Sequence, residues 1–524
     1  MAGVLSVGGW NPSGRLHNRR PVEGELRRMG MERPNIVLIM TDMHRQDALG
    51  CYGNRVIRTP NLDGIAERGA RFTRCYVQSP ACMPSRATIM TGKYPHSHGV
   101  TRNLKGLPSC QTTFMDLLSR AGYHTAAVGK MHMMPKYGPF GFGYLDIVDG
   151  KRCARHPYND NYTIYLERIG KDGLERLPPR RTIYDAYTSP IGMEDYIDSY
   201  IGRKAIRYLK EVRREPFFLW ISFSGPHFPF DPPVPYDRMY DPREVEPPRI
   251  DVVDLREKRR LHPEFAGLGE EVLAPENLRR AIAHYYGCIS LIDHWVGRIL
   301  RTFEEEGIED RTIVVFTSDH GALLGEHGLA WHGLKAMYDE QVRVPLIMRG
   351  PGIPSGTVMD ALVESLDLTA TFLEWAGVEE HPGMAGGSLI PIVRDEDPRG
   401  RRTVHCEGCV FEYPLKDGEE IFLGTERRIM HLEGKWKYIY SDEEEYQELY
   451  NLKEDPEEKE NLAGEKGYSD LIAKFKEDIL KWLIGTSQPS MGEVHPIEDF
   501  ALHDASPHRM PEKKRPPGLI YAEP

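Results

Sequence analysis

Short apolar strands that alternate with helical segments are the feature of this sequence that most limits its fold. Five runs have the β-branched, apolar character of strands buried on both faces of a parallel sheet: NIVLIMT (35–41), HTAAVGK (124–130), FFLWISFS (217–224), TIVVFTS (312–318) and VPLIMRG (344–350). Between them, apolar residues recur three or four positions apart, most clearly over 276–306, where a helix is predicted to end before Gly307. The alternation predicts βαβ units and a mostly parallel, doubly wound sheet in an α/β fold.

Charged or metal-ligating side chains follow four of these strands. They are Asp42 after the first strand, Lys130 and His132 after the second, His227 after the third, and Asp319 with His320 after the fourth. In an open α/β sheet the carboxyl ends of parallel strands meet at one edge, where ligands bind. We therefore expect these residues to lie at a common rim.

From about residue 400 the pattern becomes typical of antiparallel strands. In RRIMHLEGKWKYIYSD (427–442), two strand-like runs flank Glu433 and Gly434, which predicts a hairpin. A helix is predicted from Ser469, interpreted as its N-cap, to about Ile484. The predicted organisation is a disordered tail or misassigned start (1–32), a main domain (33–400), a C-terminal α+β subdomain with an antiparallel sheet (401–485), and an extended tail (486–524).

Charge and composition exclude several classes of protein. A formal charge of -11 argues against a general nucleic-acid binder, which needs a basic surface to replace counterions. The sequence has neither an apolar run long enough to span a membrane nor the apolar core of a secretory signal at its start, so a cytoplasmic protein without a membrane partner is predicted. Cys406 and Cys409 have zinc-like spacing, but no second pair accompanies them, so they are interpreted as structural.

The stretch CMPSR (82–86) places a cysteine and an arginine at the predicted start of a helix that runs through Met90. Pro84 suits the first turn, so Cys82 is expected at the positive end of the helix dipole, where an anion is stabilised. The planar guanidinium of Arg86 suits a tetrahedral oxyanion. A thiolate phosphatase needs a longer loop between its cysteine and arginine to cradle phosphate, so the spacing argues against that class.

Asp42, Asp319 and His320 are interpreted as ligands of a divalent metal. Carboxylate oxygens are the preferred ligands of Ca²⁺, Mg²⁺ and Mn²⁺, and the imidazole of His320 suits Mn²⁺ as well as Ca²⁺. Each of these residues alone could be an ordinary cap or loop residue. Their shared position at strand ends favours a metal site.

The stretch CMPSRATIMTGKYP (82–95) resembles the signature of the formylglycine-dependent sulfatases, C-x-P-S-R followed by T-G and a basic residue. Other segments resemble this family in the family's own order: PNIVLIMTD, TPNLDGIAERGARFTRCY, AVGKMH, SGPHFPF, TSDHGALLGEHGLAWHGLK and ELYNLKEDPEEKENLA. The resemblance covers roughly residues 33–485, most of the chain. Membership of the alkaline phosphatase superfamily implies a large mixed, mostly parallel sheet sandwiched by helices, with 33–400 as the catalytic domain.

The resemblance implies that Cys82 is converted to formylglycine by a formylglycine-generating or sulfatase-maturating enzyme. The hydrated aldehyde would attack the sulfate, and its second hydroxyl would then expel sulfate and restore the aldehyde. By motif, Asp42, Asp319, His320 and the formylglycine at Cys82 would bind the metal. Its implied role is to polarise the sulfate and to lower the pKa of the nucleophilic hydroxyl.

The same resemblance implies roles for the remaining site residues. Arg86, Lys130 and Lys335 would neutralise the sulfate oxygens as charge develops. His227 with Lys335 would assist protonation of the leaving group, and His132 would be the base that collapses the sulfated intermediate. His327 and His332 are interpreted either as pocket residues or as ordinary loop histidines.

One position departs from the pattern of many family members. They carry two adjacent acids after the first strand, whereas Met43 follows Asp42 here, and a thioether is a poor ligand for a hard cation. This resembles the choline-sulfatase and phosphonate monoester hydrolase branches. We expect Ca²⁺, with Mn²⁺ or Mg²⁺ as alternatives, and interpret Asp47 as a loop acid rather than a replacement ligand.

The predicted function is hydrolysis of a small sulfate monoester to an alcohol and inorganic sulfate. The main alternative is a phosphonate monoester or phosphodiester hydrolase that uses the same formylglycine. A binding protein with unmodified Cys82 and a thiol-dependent hydrolase are further alternatives. The loops 133–200 and 228–275 and the C-terminal tail are expected to select the leaving group, so aromatic, carbohydrate and choline sulfates all remain open.

Overall fold

The structure is a computed structural model that describes most of the two predicted domains. The described residues are 33–103, 105–138, 140–149, 160–173, 186–250, 270–331, 333, 335–408, 412–414, 420–422, 427–442, 446–487 and 520–521. The predicted tail 1–32, His332, Cys409 and most of 486–524 lie outside them. Among the described helices, none has the length and apolar character needed to cross a membrane.

The described strands form one large sheet and three smaller ones. Their bounds are β1 Asn35–Thr41, β2 Ala70–Tyr76, β3 His124–Gly129, β4 Tyr144–Ile147, β5 Phe217–Ser222, β6 Thr312–Ser318, β7 Leu323–Leu324, β8 Ala330–Trp331, β9 Arg343–Arg349, β10 Thr357–Glu364, β11 Thr403–Glu407, β12 Glu412–Pro414, β13 Glu420–Phe422, β14 Arg428–Glu433, β15 Trp436–Ser441, β16 Gln447–Asn451 and β17 Ile520–Tyr521. The large sheet has nine strands in the order β10-β2-β9-β6-β1-β5-β3-β4-β17.

The five strands predicted from the sequence are β1, β3, β5, β6 and β9, and all belong to the large sheet. β1, β3, β5 and β6 pair in parallel, as predicted. β9 runs antiparallel to β2 and β6, so its expected parallel direction is wrong. A strand buried on both faces has the same apolar composition in either direction, so periodicity does not reveal its orientation.

The helices begin and end at the following residues: α1 Pro60–Glu67, α2 Cys82–Thr91, α3 Pro95–His98, α4 Phe114–Arg120, α5 Asn161–Arg168, α6 Ile197–Arg207, α7 Pro275–Glu305, α8 Asp339–Val342, α9 Asp367–Ala376, α10 Ile390–Val393 and α11 Ser469–Thr486. The predicted helix 276–306 corresponds to α7. The predicted N-cap is wrong, because Ser469 is already helical and its hydroxyl donates to the carbonyl of Lys466 at 3.0 Å.

Helices cover both faces of the large sheet. Along β1, Ile36, Leu38 and Met40 point into one buried cluster, which includes residues of α2, α4 and α9. Val37 and Ile39 point into the opposite cluster, which includes residues of α1, α6 and α7. This alternation follows from the two-residue period of a strand and makes the main domain a three-layer sandwich.

The C-terminal subdomain is a four-stranded antiparallel sheet in the order β11-β14-β15-β16. The predicted hairpin joins β14 to β15, and Gly434 has a φ of 61° that favours glycine. Val404, Cys406 and Met430 join the core of the main domain, whereas Tyr438 packs with Phe475 of α11 on the other face. The small sheet is thus held between the main domain and α11.

Candidate active site

Backbone hydrogen bonds beyond the strand ends hold the predicted rim together. The amide of Asp319 donates to the carbonyl of Thr41 at 3.2 Å, and the amide of Lys130 donates to the carbonyl of Ser222 at 2.8 Å. Gly129 allows this approach, since a Cβ there would lie 2.0 Å from the carbonyl oxygen of Ser222. The carboxyl ends of β1, β3, β5 and β6 therefore meet as the sequence predicts.

Cys82 is the first residue of α2, a helix that is buried along its whole length. Its Sγ lies 3.2 Å from Nε2 of His320 and 3.9 Å from Oδ1 of Asp42. The predicted position at the positive end of a helix dipole is therefore found, and that end faces the strand-end residues. Cys82 is 1 % exposed.

Asp42, Cys82, Asp319 and His320 each offer one ligand atom, and these four atoms all lie within 4.8 Å of one another. Nδ1 of His320 donates to the carbonyl oxygen of Gly321 at 2.8 Å, and this bond orients the ring so that Nε2 faces Cys82. Two carboxylates and a correctly oriented imidazole fit a divalent cation. We call these four residues the ligand cluster.

Arg86 is fully buried, and its guanidinium contacts the carboxylates of the ligand cluster. Its Nε donates to Oδ2 of Asp319 at 2.8 Å, and its Nη2 lies 3.3 Å from Oδ2 of Asp42. Its Nη1 donates to the carbonyl of Lys130 and to the hydroxyl of Ser222, at 2.5 and 2.8 Å. The guanidinium thus fixes the two carboxylates, and all three of its nitrogens contact the protein.

The two carboxylates of the ligand cluster differ in their affinity for protons. Burial alone would raise the pKa of Asp42, but the positive charges of Lys130, 2.5 Å away, and Arg86 outweigh burial and hold the pKa well below its usual value. Burial dominates at Asp319, where the pKa is raised despite the opposing charge of Arg86. Asp42 is therefore the more persistently ionised ligand.

The thiol of Cys82 is not activated by this environment. Burial and the negative charge of Asp42 raise its pKa well above the ordinary value, although Lys130 opposes the change. Reactive cysteines have lowered pKa values that favour the thiolate. The unmodified side chain is consequently a poor nucleophile at neutral pH.

Two histidines lie beside the ligand cluster at the ends of β3 and β5. Nδ1 of His132 is buried without a hydrogen-bond partner among the described residues, and its backbone φ of 48° lies in the sparsely populated left-handed region. Burial and the charge of Lys130 lower the pKa of His132 well below 6.5. A neutral imidazole with an unused ring nitrogen can accept a proton.

His227 is oriented by its own loop. Its Nδ1 donates to the carbonyl of Phe228 at 2.6 Å, and burial together with Lys130 lowers its pKa to about 3. Nε2 therefore carries a lone pair and must gain a proton before it can donate one.

Lys335 is buried between β8 and α8, with 4 % of its surface exposed. The side-chain amide of Gln341 links the neighbouring Gly333 to the loop before Cys82. Its Nε2 donates to the carbonyl of Pro80 at 3.3 Å and also to that of Gly333, and its Oε1 accepts from the amide of Gly333. The Lys335 segment thus lies beside the start of α2, and the role of Lys335 stays a prediction.

The position after Asp42 is filled by an apolar side chain with a structural role. Met43 is fully buried, its φ is 64°, and its amide donates to Oδ1 of Asp319 at 3.3 Å. Asp47 instead pairs with Arg45 through two contacts of 2.6 and 2.8 Å, and its side chain is 66 % exposed. Asp47 is thus placed as a loop acid outside the ligand cluster.

His327 packs face to face with Tyr338 at 3.7 Å between ring centroids, with its Nε2 3.7 Å from a carboxylate oxygen of Glu340.

Three residues near the site were missed by sequence reasoning: Ser222, Gln341 and Asp198. Oδ1 of Asp198 accepts the amides of Ser224 and Gly225 at 2.7 and 3.0 Å, and the carbonyl of Gly225 accepts the amide of Asp42 at 3.1 Å. An acid among the apolar positions of α6 and a serine at the end of an apolar strand are the signals that could have pointed to Asp198 and Ser222. Gln341 carries no comparable local signal.

Comparison with known proteins agrees with this geometry. The sulfatase family model matches residues 34–378, and the model described as N-sulphoglucosamine sulphohydrolase, C-terminal, matches residues 325–483. The chain is 30 % identical over 476 residues to an arylsulfatase of Clostridium perfringens, covering 87 % of this chain and 95 % of the relative. It is also 30 % identical over 456 residues to a choline-sulfatase of Rhizobium meliloti, covering 82 % of each.

A phosphonate monoester hydrolase of Agrobacterium radiobacter has the same fold. The TM-score is 0.74 at 24 % identity, over 87 % of this chain and 96 % of that chain. The mixed sheet, the C-terminal subdomain and the match over residues 34–378 lead to one conclusion. The chain belongs to the sulfatase family of the alkaline phosphatase superfamily, and it is a sulfuric ester hydrolase.

Proposed function

We propose that this enzyme hydrolyses a sulfate monoester to an alcohol and inorganic sulfate through a formylglycine at position 82. The observation that carries the proposal is the position of Cys82 at the start of a buried helix, with its Sγ inside the ligand cluster. The raised pKa of the unmodified thiol supports it, because a thiol-dependent hydrolase needs a thiolate. The hydrated aldehyde would supply one hydroxyl for attack on sulfur and a second for release of sulfate.

We propose that Asp42, Asp319, His320 and residue 82 hold one divalent cation. When bound, it would add positive charge that polarises the sulfate and favours ionisation of the nucleophilic hydroxyl. Calcium suits the two carboxylates, and manganese or magnesium suits the same donor set. Arg86 would hold both carboxylates in place, consistent with its 2.8 Å contact to Asp319.

The proposed roles of the other residues follow from their positions and charges. The ammonium groups of Lys130 and Lys335 would stabilise negative charge on the sulfate oxygens. His132, which is neutral and has an unpartnered Nδ1, is proposed as the base that takes a proton from the sulfated intermediate. His227 and Lys335 are proposed to deliver the proton to the leaving alcohol.

The direct test is the mass of the tryptic peptide Cys75–Arg86 from enzyme produced together with a formylglycine-generating enzyme. Fragment ions should locate an aldehyde at Cys82, while Cys75 in the same peptide keeps its thiol and is an internal control. A thiol at both positions in active enzyme would overturn the formylglycine proposal.

A second test is activity on an aryl sulfate. Cys82→Ala should lower kcat/KM by at least about 10⁴-fold, since loss of a covalent nucleophile has effects of this order. Cys110→Ala is the matched control, because Cys110 is an exposed free cysteine and should leave activity unchanged. Full activity of Cys82→Ala would contradict the proposed mechanism.

A phosphonate monoester or phosphodiester is the second candidate substrate. Position 43 is a methionine rather than an acid, so the ligand cluster has one carboxylate fewer than in many sulfatases. This difference is the observation that favours the phosphonate candidate. We expect an aryl sulfate to have a higher kcat/KM than the corresponding aryl phosphonate monoester. The reverse order, measured on the same enzyme with the same metal, would favour the phosphonate assignment.

A further inference from the structure

Lys437 is a fully buried lysine at the boundary between the C-terminal sheet and the main domain. Its Nζ lies 2.5 Å from Oδ1 of Asp339, 2.8 Å from Oε1 of Glu458 and 3.2 Å from the carbonyl oxygen of Met337. The ammonium donates hydrogen bonds to Asp339 and to the carbonyl of Met337, and Glu458 adds an ion-pair contact. The charges of Asp339 and Glu458 outweigh burial and raise the pKa of Lys437, which remains protonated at neutral pH.

The acceptors on the main domain belong to the segment that directly follows Lys335. Met337 and Asp339 bind Lys437, and the amide of Asp339 also donates to Glu458 at 2.6 Å. Between them, the hydroxyl of Tyr338 donates to Glu448 of β16 at 2.9 Å. Each residue from 337 to 339 is thus bound to the C-terminal subdomain.

The other side of this segment is bound to the active-site loop. Gln341 connects Gly333 to Pro80, two residues before Cys82, and the hydroxyl of Tyr76 lies 3.2 Å from Oδ2 of Asp339. Gly333 and residues 335–341 are therefore held between the start of α2 and the small sheet. A displacement of the small sheet would therefore be transmitted to Lys335 through only a few residues.

A buried ion pair is a costly way to stabilise a boundary, because apolar side chains of similar size are often equally good or better. Unlike an apolar side chain, the ammonium makes directional contacts that hold a backbone carbonyl and a carboxylate at fixed positions. We propose that Lys437 is a positioning residue for Lys335, fixing the backbone at Met337 and Asp339 and thereby the place of the Lys335 ammonium in the active site. The kinetic part of this proposal rests on the proposed function.

The kinetic test is a double-mutant cycle with aryl sulfates whose phenols leave easily or with difficulty. Lys437→Met should lower kcat by about 10²-fold for the poor leaving group, because small misplacements of catalytic groups have effects of this size. It should lower kcat much less for the good leaving group, with the same trend in Lys335→Met. The double variant should be no slower than Lys335→Met alone. Multiplied losses, or equal losses for both leaving groups, would overturn the proposal.

Arg401→Met is the matched control for a general effect on the subdomain boundary. Arg401 pairs with Glu364 at 3.0 Å and with Asp367, where the same two parts of the protein meet but away from residues 333–341. We expect both variants to have a lower Tm and only Lys437→Met to show the leaving-group trend. If Lys437→Met does not fold, Glu458→Gln keeps the shape of the side chain but replaces the carboxyl group that contacts Lys437 at 2.8 Å, and the same trend is expected.

Amide hydrogen exchange tests the positioning without any substrate. Peptides that cover 333–341 should exchange faster in Lys437→Met than in the wild-type enzyme, and Arg401→Met should leave them unchanged. Unaltered exchange in Lys437→Met and in Glu458→Gln would refute the positioning role. A wild-type enzyme inactive on every sulfate would refute the proposed function alone, because the exchange result does not depend on turnover.

Discussion

Two buried groups of charged residues in this protein are arranged in opposite ways, one around a positive side chain and the other around converging acceptor atoms. In the boundary cluster, formed by Lys437, Asp339 and Glu458, the ammonium of the lysine lies between the two acids and also donates to the carbonyl of Met337. In the ligand cluster, two carboxylates, an imidazole and the side chain of residue 82 face one another within 4.8 Å. Arg86 and Lys130 contact the carboxylates from outside this set.

This difference distinguishes a structural group of charges from a reactive one. In the boundary cluster Lys437 already supplies the positive charge that the acids require, so this cluster fixes a position without a ligand. Converging acceptor atoms repel one another unless a cation joins them, and the Nδ1 of His132, which has no hydrogen-bond partner in the described part of the chain, can still take a proton. Burial and charge alone do not separate the two cases.

The largest expected effect comes from removing the metal, and it should occur only at the ligand cluster. Chelation should reduce activity on an aryl sulfate to the background rate and lower the Tm, because a bound ligand stabilises the folded state. Activity should return on adding Ca²⁺, Mn²⁺ or Mg²⁺, and metal analysis of the restored enzyme should give one ion per chain. Full activity after exhaustive chelation, with no bound metal, would contradict the view that the ligand cluster differs from the boundary cluster by holding a cation.

Asp319→Asn should lower kcat/KM by about 10³-fold, because it removes one charged ligand while preserving shape. The bound metal content should fall with it. Asp47→Asn is the control, since Asp47 is an exposed acid paired with Arg45, and it should keep both metal and activity. Metal loss in Asp47→Asn would show that the loop acid contributes to the site after all.

Asp198→Asn should have a smaller effect, about 10- to 100-fold on kcat, because Asp198 supports the site without belonging to the ligand cluster. It would loosen the turn at Gly225 that contacts Asp42 and leads to His227. Asp293→Asn is matched to it, since Asp293 is also a buried acid that accepts two backbone amides, those of Asn61 and Leu62. The control should lose stability but not kcat, and equal losses in both variants would show a general folding effect.

The smallest effect is expected at Glu364, which pairs with Arg401 at a part of the subdomain boundary away from Lys437, and it concerns stability only. Burial raises the pKa of Glu364 from 4.5 to about 7 despite the charge of Arg401, so the folded state binds a proton more tightly than the unfolded state does. The contribution of Glu364 to stability is therefore greatest below pH 4.5 and declines as the pH rises to about 7. Its full size is on the order of 3 kcal/mol, from about 1.4 kcal/mol for each unit of pKa.

Glu364→Gln should flatten this decline without changing kcat on an aryl sulfate. Thermal unfolding of both proteins at several pH values between 4 and 8 measures the difference. Parallel curves for the two proteins would contradict the raised pKa of Glu364. A large loss of kcat would show that Glu364 affects the active site as well as stability.

Much of the main domain and the ligand cluster could be predicted because the information is local. A run such as NIVLIMT identifies a buried strand without knowledge of its neighbours, and the residue after it lies at the edge of the sheet whatever the partner strand is. Asp42 and Asp319 were found in this way, and Cys82 was found from the CMPSR stretch at a predicted helix start. The direction of β9 was not, because an apolar strand carries no mark of its orientation.

The sequence by itself determined the strand and helix pattern, the family signature around Cys82 and the residues that follow each strand. These features depend on neighbours in the chain, where side-chain period and backbone geometry act directly. The tertiary structure decided which groups Arg86 binds, that Asp47 pairs with Arg45, and that Lys437 and Asp198 support the site from other elements. Those contacts join residues far apart in the chain, and only the packing of the sheet, the helices and the small subdomain brings their atoms within hydrogen-bonding distance.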